Sequence, residues 1–164
     1  MIYRAAKTSP AIRIVTAIVL AMGVGFSVGG LYVKGLLVGG AAIAIVAFCC
    51  YLLAPVAYDV TGGCLTVLFR AGKKSFGPIT SCTLINERPP LTIRLCGNGG
   101  LFAGTGLFWN AQYGKFRAYV TRASFQDGVL VETERGKVVI TPENPQVFAA
   151  SAGPRGQMDQ QRDA

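Results

Sequence analysis

The chain has 164 residues, 16 lysines and arginines against 8 acids, and no histidine. That length leaves room for one small domain beside any membrane segment. Without histidine, and with five cysteines that form no CxxC pair, the sequence argues against zinc, haem and non-haem iron sites.

The excess of basic residues does not point to nucleic acid. There is no run of five or six like charges and no basic stripe on a predicted helix, so nucleic acid is not an expected partner. Positive charge in a membrane protein usually reports the side facing the cytoplasm and anionic lipid.

Residues 1–9 read as a short basic leader, with Arg4 and Lys7. The following apolar stretch is too long for a secretory signal, and a second one follows at once. Ser9 suits an N-cap and Pro10 the first helical position, where a missing N–H costs nothing. Ile14 to Val33 gives 20 residues without a charge, and Leu36 to Ala57 gives 22 more, separated by Lys34 and Gly35. A helix of that length spans roughly 30 Å, the thickness of a bilayer's hydrocarbon core. Residues 10–57 are therefore predicted to be a transmembrane hairpin, with helices at about 10–33 and 36–57. The competing reading, a helical hairpin buried in a soluble core, suits runs this long and uniformly apolar poorly.

Within the hairpin, Gly25 and Gly29 form one GxxxG pair and Gly35 and Gly39 another; Gly40 and Ala44 add a small pair. Small residues four apart let helices approach closely in lipid, either within the hairpin or between copies. Arg4, Lys7 and Arg13 lie near the first helix, and Arg70, Lys73 and Lys74 lie after the second. The positive-inside rule then places both termini in the cytoplasm, Lys34 outside, and the chain in the inner (plasma) membrane as a multi-pass protein.

Asp59 to Gly63 reads as a tight turn, which sets the following domain against the membrane. From Cys64 the pattern becomes β, with Leu65, Val67 and Phe69 alternating. Ala71 to Lys74 reads as a turn in which Gly72 is free to take positive φ. Ser75 to Pro78 is predicted as a short strand, Ile79 to Ser81 as one helical turn, and Thr83 to Ile85 as a strand. The break at Glu87-Arg88-Pro89-Pro90 follows. Leu91 to Leu95 is predicted as a strand and Gly97 to Gly100 as a glycine-rich turn. Phe116 to Thr121, Val129 to Thr133 and Val138 to Thr141 read as strands. Arg135-Gly136 suits a two-residue hairpin. Asn144 and Pro145 suit the start of a short helix. Residues 151–164 read as a disordered tail.

Motifs for catalysis are missing. Gly99 and Gly104 have P-loop spacing, but no lysine follows. Gly97 and Gly99 begin a GxGxxG, but position 102 is phenylalanine. Glu132 and Glu134 share one side of a strand and read as a solvated face. No serine or cysteine has a histidine to activate it. The sequence is read as non-enzymatic, with no cofactor. Two further groups are candidates for contact. Arg70, Lys73 and Lys74 suit lipid headgroups, and Phe108, Trp109 and Tyr113 suit either a core or an interfacial belt.

Several stretches together carry a resemblance. They are Tyr58-Asp59-Val60, Phe76-Gly77-Pro78-Ile79, Gly97 to Phe102 and Gly106 to Trp109. Gly114 to Thr121, Val129 to Thr133 and Ile140 to Pro145 complete the set. In that order they resemble bacterial pleckstrin-homology-like (PH-like) domains that follow two transmembrane helices. The resemblance covers residues 58–150. It implies a barrel of about seven antiparallel strands closed by a short C-terminal helix from Pro145 to Ala150. It supplies no activity. Eukaryotic relatives of the fold often bind phosphoinositides through basic residues of the first hairpin, where Arg70, Lys73 and Lys74 lie here without the usual Lys…Arg-x-Arg spacing. The expected function is a membrane-anchored scaffold or interaction domain at the cytoplasmic face. Its partners would be membrane lipid and a protein or a second copy. The alternative is a sensor of lipid headgroups.

Overall fold

The computed structural model describes residues 1–87, 89, 91–122 and 125–153. Two helices come early in the chain, α1 (Pro10–Gly29) and α2 (Lys34–Leu52). Pro10 opens α1 as expected, but the Ser9 hydroxyl makes no capping bond and is buried without a partner. Ser9 contributes its backbone instead: its carbonyl accepts from the Arg13 amide. Both helices, of 20 and 19 residues, are shorter than the predicted helices at about 10–33 and 36–57. Residues 30–33 form the connecting turn, and the run's last residues leave the helix because Pro55 begins a strand.

Among the described residues, nine strands follow the order β1-β2-β3-β4-β8-β9-β7-β6-β5, two more than the seven expected. They are β1 (Ile2–Arg4), β2 (Pro55–Thr61), β3 (Cys64–Phe69), β4 (Gly72–Ile85) and β5 (Ile93–Gly99). The remaining four are β6 (Gly104–Asn110), β7 (Gly114–Val120), β8 (Gly128–Thr133) and β9 (Gly136–Ile140). The sheet is mixed rather than purely antiparallel, because β7 pairs parallel with β9. The helix α3 (Pro145–Ala152) ends the described chain, two residues longer than expected. The predicted tail beyond it lies outside the described residues, as do Arg88 and Pro90 of the predicted double-proline break.

The predicted leader contains β1. Ile2, Tyr3 and Arg4 pair with Asp59, Tyr58 and Ala57 of β2. The chain then crosses to the far side of the sheet. Ala5 bridges Pro142, and the Ala6 amide donates to the Thr141 carbonyl at 2.9 Å. The residues after β1 thus meet those after β9, which wraps the sheet toward a barrel.

β2 and β3 are joined by Gly62 and Gly63, both with positive φ, the requirement of a two-residue type I′ hairpin. β4 replaces the predicted strand, helical turn and strand. It is one 14-residue strand that pairs with β3 at one end and β8 at the other. A bulge lets it change partners: Phe76 is the extra residue, and Gly77 takes φ +83°. Gly72 has no positive φ, because Arg70 and Ala71 make the turn and Gly72 already pairs with Phe69.

Alternation along the central strands feeds two cores on opposite faces. Val129, Val131, Val138 and Ile140 join Tyr58, Phe76 and Phe148 of α3 in one. Leu130 and Val139 join Phe108, Phe116 and Val120 in the other. For this reason Leu130 is buried, although it lies on the face of Glu132 that was expected to be solvated.

Candidate functional site

The candidate site is the junction between the helices and the sheet. α1 starts and α2 ends beside the domain, and three independent contacts hold it there. The Phe102 amide donates to the Thr16 hydroxyl of α1 at 3.0 Å. The Phe102 ring meets Tyr51 of α2 edge-on, with centroids 5.4 Å apart. The Ala71 amide donates to the Leu52 carbonyl at 3.3 Å. Phe102 has φ +63°, so its loop is drawn into an unusual conformation at the point of contact. Asn98 shapes that loop, its side-chain oxygen accepting from the amides of Gly100 and Leu101.

The strand that enters α1 is tied down as firmly. The Thr121 hydroxyl donates to the Ala6 carbonyl at 2.7 Å, and the Ser9 amide donates to the Thr121 carbonyl at 3.1 Å. The Thr121 amide donates to the Thr141 hydroxyl. All of these groups lie at the ends of β7 and β9, next to the start of α1.

The expected basic cluster does not form one patch. Arg70 lies against α2, its guanidinium carbon 4.3 Å from the Tyr51 ring centre. It lines a pocket of about 350 Å³ with Arg13, Thr16 and Phe102. Lys73 and Lys74 are neighbours on a strand and so point to opposite faces. Lys74 stands opposite the buried Val67, its ammonium 5.7 Å from the Phe76 ring centre and 6.0 Å from that of Tyr119. Lys73 stands opposite Leu68 on the other face. Each cation–π contact of this kind contributes about 0.5–1 kcal/mol at an exposed site.

Two further cations near the site were not singled out from the sequence. Arg94 of β5 lines a groove of about 610 Å³ together with Lys74 and α2. Arg117 of β7 comes within 6.0 Å of the Phe76 ring centre, so it and Lys74 share that ring. The ion pairs among the described residues join Met1 to Asp59, Arg122 to Asp127 and Lys137 to Glu132. Lys74, Arg94 and Arg117 belong to none of them. Neither residue carries a sequence signal of its own; only the topology brings β5 and β7 to Lys74.

The glycines of the hairpin fall into two sets. A Cβ at Gly40 would sit 3.1 Å from the Ser27 nitrogen, and one at Gly23 would sit 3.1 Å from Ile43. Gly30 abuts Leu37 and Gly29 abuts Leu36 across the turn. The close approach within the hairpin therefore uses Gly23, Gly29, Gly30 and Gly40. Gly39 is only in ordinary contact with Phe26, while Gly25 and Gly35 face open space.

Two groups with reactive chemistry, Cys82 and Tyr58, are muted by burial. Burial pushes the Cys82 thiol up to about 11 and the Tyr58 phenol to about 12. A thiol held so high is a poor nucleophile at neutral pH. Tyr58 donates to the Tyr119 carbonyl at 2.7 Å inside the core, a structural role. Glu132 accepts from Ser81 and pairs with Lys137, whereas Glu134 sits in the β8–β9 turn, so the two carboxylates do not converge. No group of three or more metal-binding side chains is assembled among the described residues. Of the aromatic trio, Phe108 is core, Tyr113 packs at its edge, and Trp109 is exposed.

A family model described as "Bacterial PH domain" matches residues 71–154, half of the chain. No curated protein and no solved structure matches it.

Proposed function

The chain belongs to the bacterial PH domain family, and we propose that it is a non-enzymatic, membrane-anchored module of that family. One observation carries the reading: α1 and α2 are long and apolar enough to cross a membrane, yet only 6 % and 11 % of their windows are buried. A buried core hairpin would show the reverse. So much exposed apolar surface calls for an apolar surrounding. In lipid, helices also satisfy their own backbone groups.

The anchor then holds the β domain within a residue or two of the bilayer. Positive charge at the domain side, against the lone Lys34 in the far turn, favours a cytoplasmic domain with both termini inside. There the module serves as a scaffold for a protein partner or for copies of itself. Gly25 and Gly35, facing open space, offer a small-residue face where a second hairpin would pack. A second reading is supported by Arg70 and Arg13 lining one pocket at the base of the hairpin, where lipid headgroups would lie.

Alkaline extraction of membranes, combined with thiol labelling of Lys34→Cys in a chain lacking its native cysteines, tests this. The chain is expected to stay with the membrane and to be labelled only from outside. Release by alkali removes the anchor, and labelling from the cytoplasm inverts the topology.

A further inference from the structure

We propose that the groove between α2 and the β5–β6 edge binds one anionic phospholipid, its acyl chain along α2 and its phosphate between Lys74 and Arg94. This rests on the membrane-anchored reading above and adds to it a specific bound lipid. The site differs from the basic first hairpin, because Arg70 and Lys73 do not line it.

The groove is about 610 Å³, within the roughly 300–1,000 Å³ typical of ligand sites. One wall is the apolar strip Val46, Cys50 and Leu53, which runs about 10 Å along the end of α2, a helix that faces lipid on the membrane-anchored reading. Leu101 adds apolar surface, and among the described residues Lys74 and Arg94 supply the only charges in the lining. No carboxylate lines the groove, and neither cation belongs to an ion pair among the described residues.

Arg94 also has a prepared seat. Its guanidinium occupies the space a Cβ at position 99 would take, so Gly99 keeps that space open. Lys74 is steadied over the Phe76 and Tyr119 rings. A cation beside an apolar wall is stabilised by an anion that follows it out of water. A free anion would satisfy the cations and leave the Val46–Leu53 strip bare. A neutral lipid would cover the strip and leave the cations unpaired. A phospholipid with net negative charge does both, and a helix leaving the bilayer would deliver it sideways from the leaflet.

The test uses the full chain in mild detergent, offered phosphatidylglycerol and phosphatidylcholine with the same acyl chains. Native mass spectrometry counts the lipid retained. We expect one phosphatidylglycerol per chain, preferred about 25-fold, with Lys74→Gln and Arg94→Gln each lowering retention about fivefold. Val46→Trp fills the apolar wall without touching a charge and is expected to abolish retention. Lys73→Gln, on the opposite face, is expected to leave it unchanged. Equal retention of the two lipids overturns the proposal. So does full competition by soluble glycerol phosphate, an equal loss in Lys73→Gln, or a protein found in the groove instead. The two readings fail separately: a chain that resists alkaline extraction but shows no lipid preference loses only the groove. A chain released by alkali loses the anchor and the groove with it.

Discussion

The hairpin and the β7–β9 strands draw on the same apolar side chains and dispose of them in opposite ways. Along β7, β8 and β9 the side chains alternate between two cores, and Val129, Val131, Val139 and Ile140 are fully buried. Along α1 and α2 the same residue types point outward: Ile18 is 54 % exposed and Val38 is 72 % exposed. Composition alone therefore does not identify the medium around an apolar segment. Geometry separates the two: a strand two-sided in its burial has protein on both faces, whereas the helix pair leaves its apolar surface uncovered, which is what the proposed lipid surrounding would cover.

The largest effect should come from attacking each region in its own terms. Phe148 of α3 is fully buried in the inner core. Phe148→Ala should lower the stability of the domain by about 3–5 kcal/mol, read from near-UV circular dichroism in a denaturant series. Ile18→Ala should change the same reading by no more than about 0.5 kcal/mol, as expected for an outward-facing position. Ile18→Asp should instead disfavour membrane insertion by about 3 kcal/mol, read from the fraction left in the membrane after alkaline extraction. Equal losses of domain stability for Phe148→Ala and Ile18→Ala would erase the distinction between the regions.

A smaller effect should come from Tyr58, which lies in the inner core with its hydroxyl donating to Tyr119 and accepting from the Thr141 amide. Tyr58→Phe leaves two buried groups short of a partner and should cost about 1–3 kcal/mol. The same residue predicts a pH dependence. Burial raises its folded pKa to about 12 from an ordinary value near 10. Between those values the unfolded chain releases a proton that the folded chain keeps. This contribution is therefore fully present below pH 10 and is lost as pH rises to 12, by at most about 1.4 kcal/mol per pH unit. Cys82 acts in the same direction from about pH 9 to 11. Thermal midpoints taken from pH 8 to 12 should fall, and fall less in Tyr58→Phe. An unchanged slope in that variant would remove Tyr58 as a source.

Why some of this was legible in the residues follows from range. Charge-free runs and alternating strands are local patterns, so the two helices and the strands from β7 to β9 could be read directly, whereas β6, which opens on Gly104-Thr105-Gly106, was not read as a strand. β1 could not, because Ile2 pairs with Asp59 across 57 positions and nothing nearby marks it. Pro55 to Tyr58 continue the apolar run smoothly, which hid β2 at the end of a helix. Ser75 to Pro78 read as a short strand and Ile79 to Ser81 as a helical turn, although in the sheet both lie within β4, with Gly77 at positive φ where it bends. Gly97 to Gly99 read as a turn, but they pair with Gly104 to Gly106, the glycines permitting close contact between the two backbones. At the junction, Arg70 and Lys74 were visible as a basic hairpin. Arg94, Arg117 and the Thr16–Phe102 contact depend on pairings between distant segments.

The smallest expected effect concerns the joint between the two regions. Thr16 lies one to two turns into α1 and accepts a hydrogen bond from the backbone of a loop 86 positions away. Thr16→Val keeps the shape and removes the acceptor. The lost bond is worth about 1 kcal/mol, so exchange of the Phe102 amide should speed up about fivefold while the global unfolding midpoint barely moves. Hydrogen exchange on the reconstituted chain reads this directly. A rigid joint held mainly by the Tyr51 ring would show no change at Phe102 in Thr16→Val, and a clear acceleration in Tyr51→Leu. If neither variant affects Phe102, then the N-terminal tie, Ser9 to Thr121 and Thr121 to Ala6, holds the domain to the hairpin together with the Ala71–Leu52 bond. That tie runs through the backbone of the strand leading into α1.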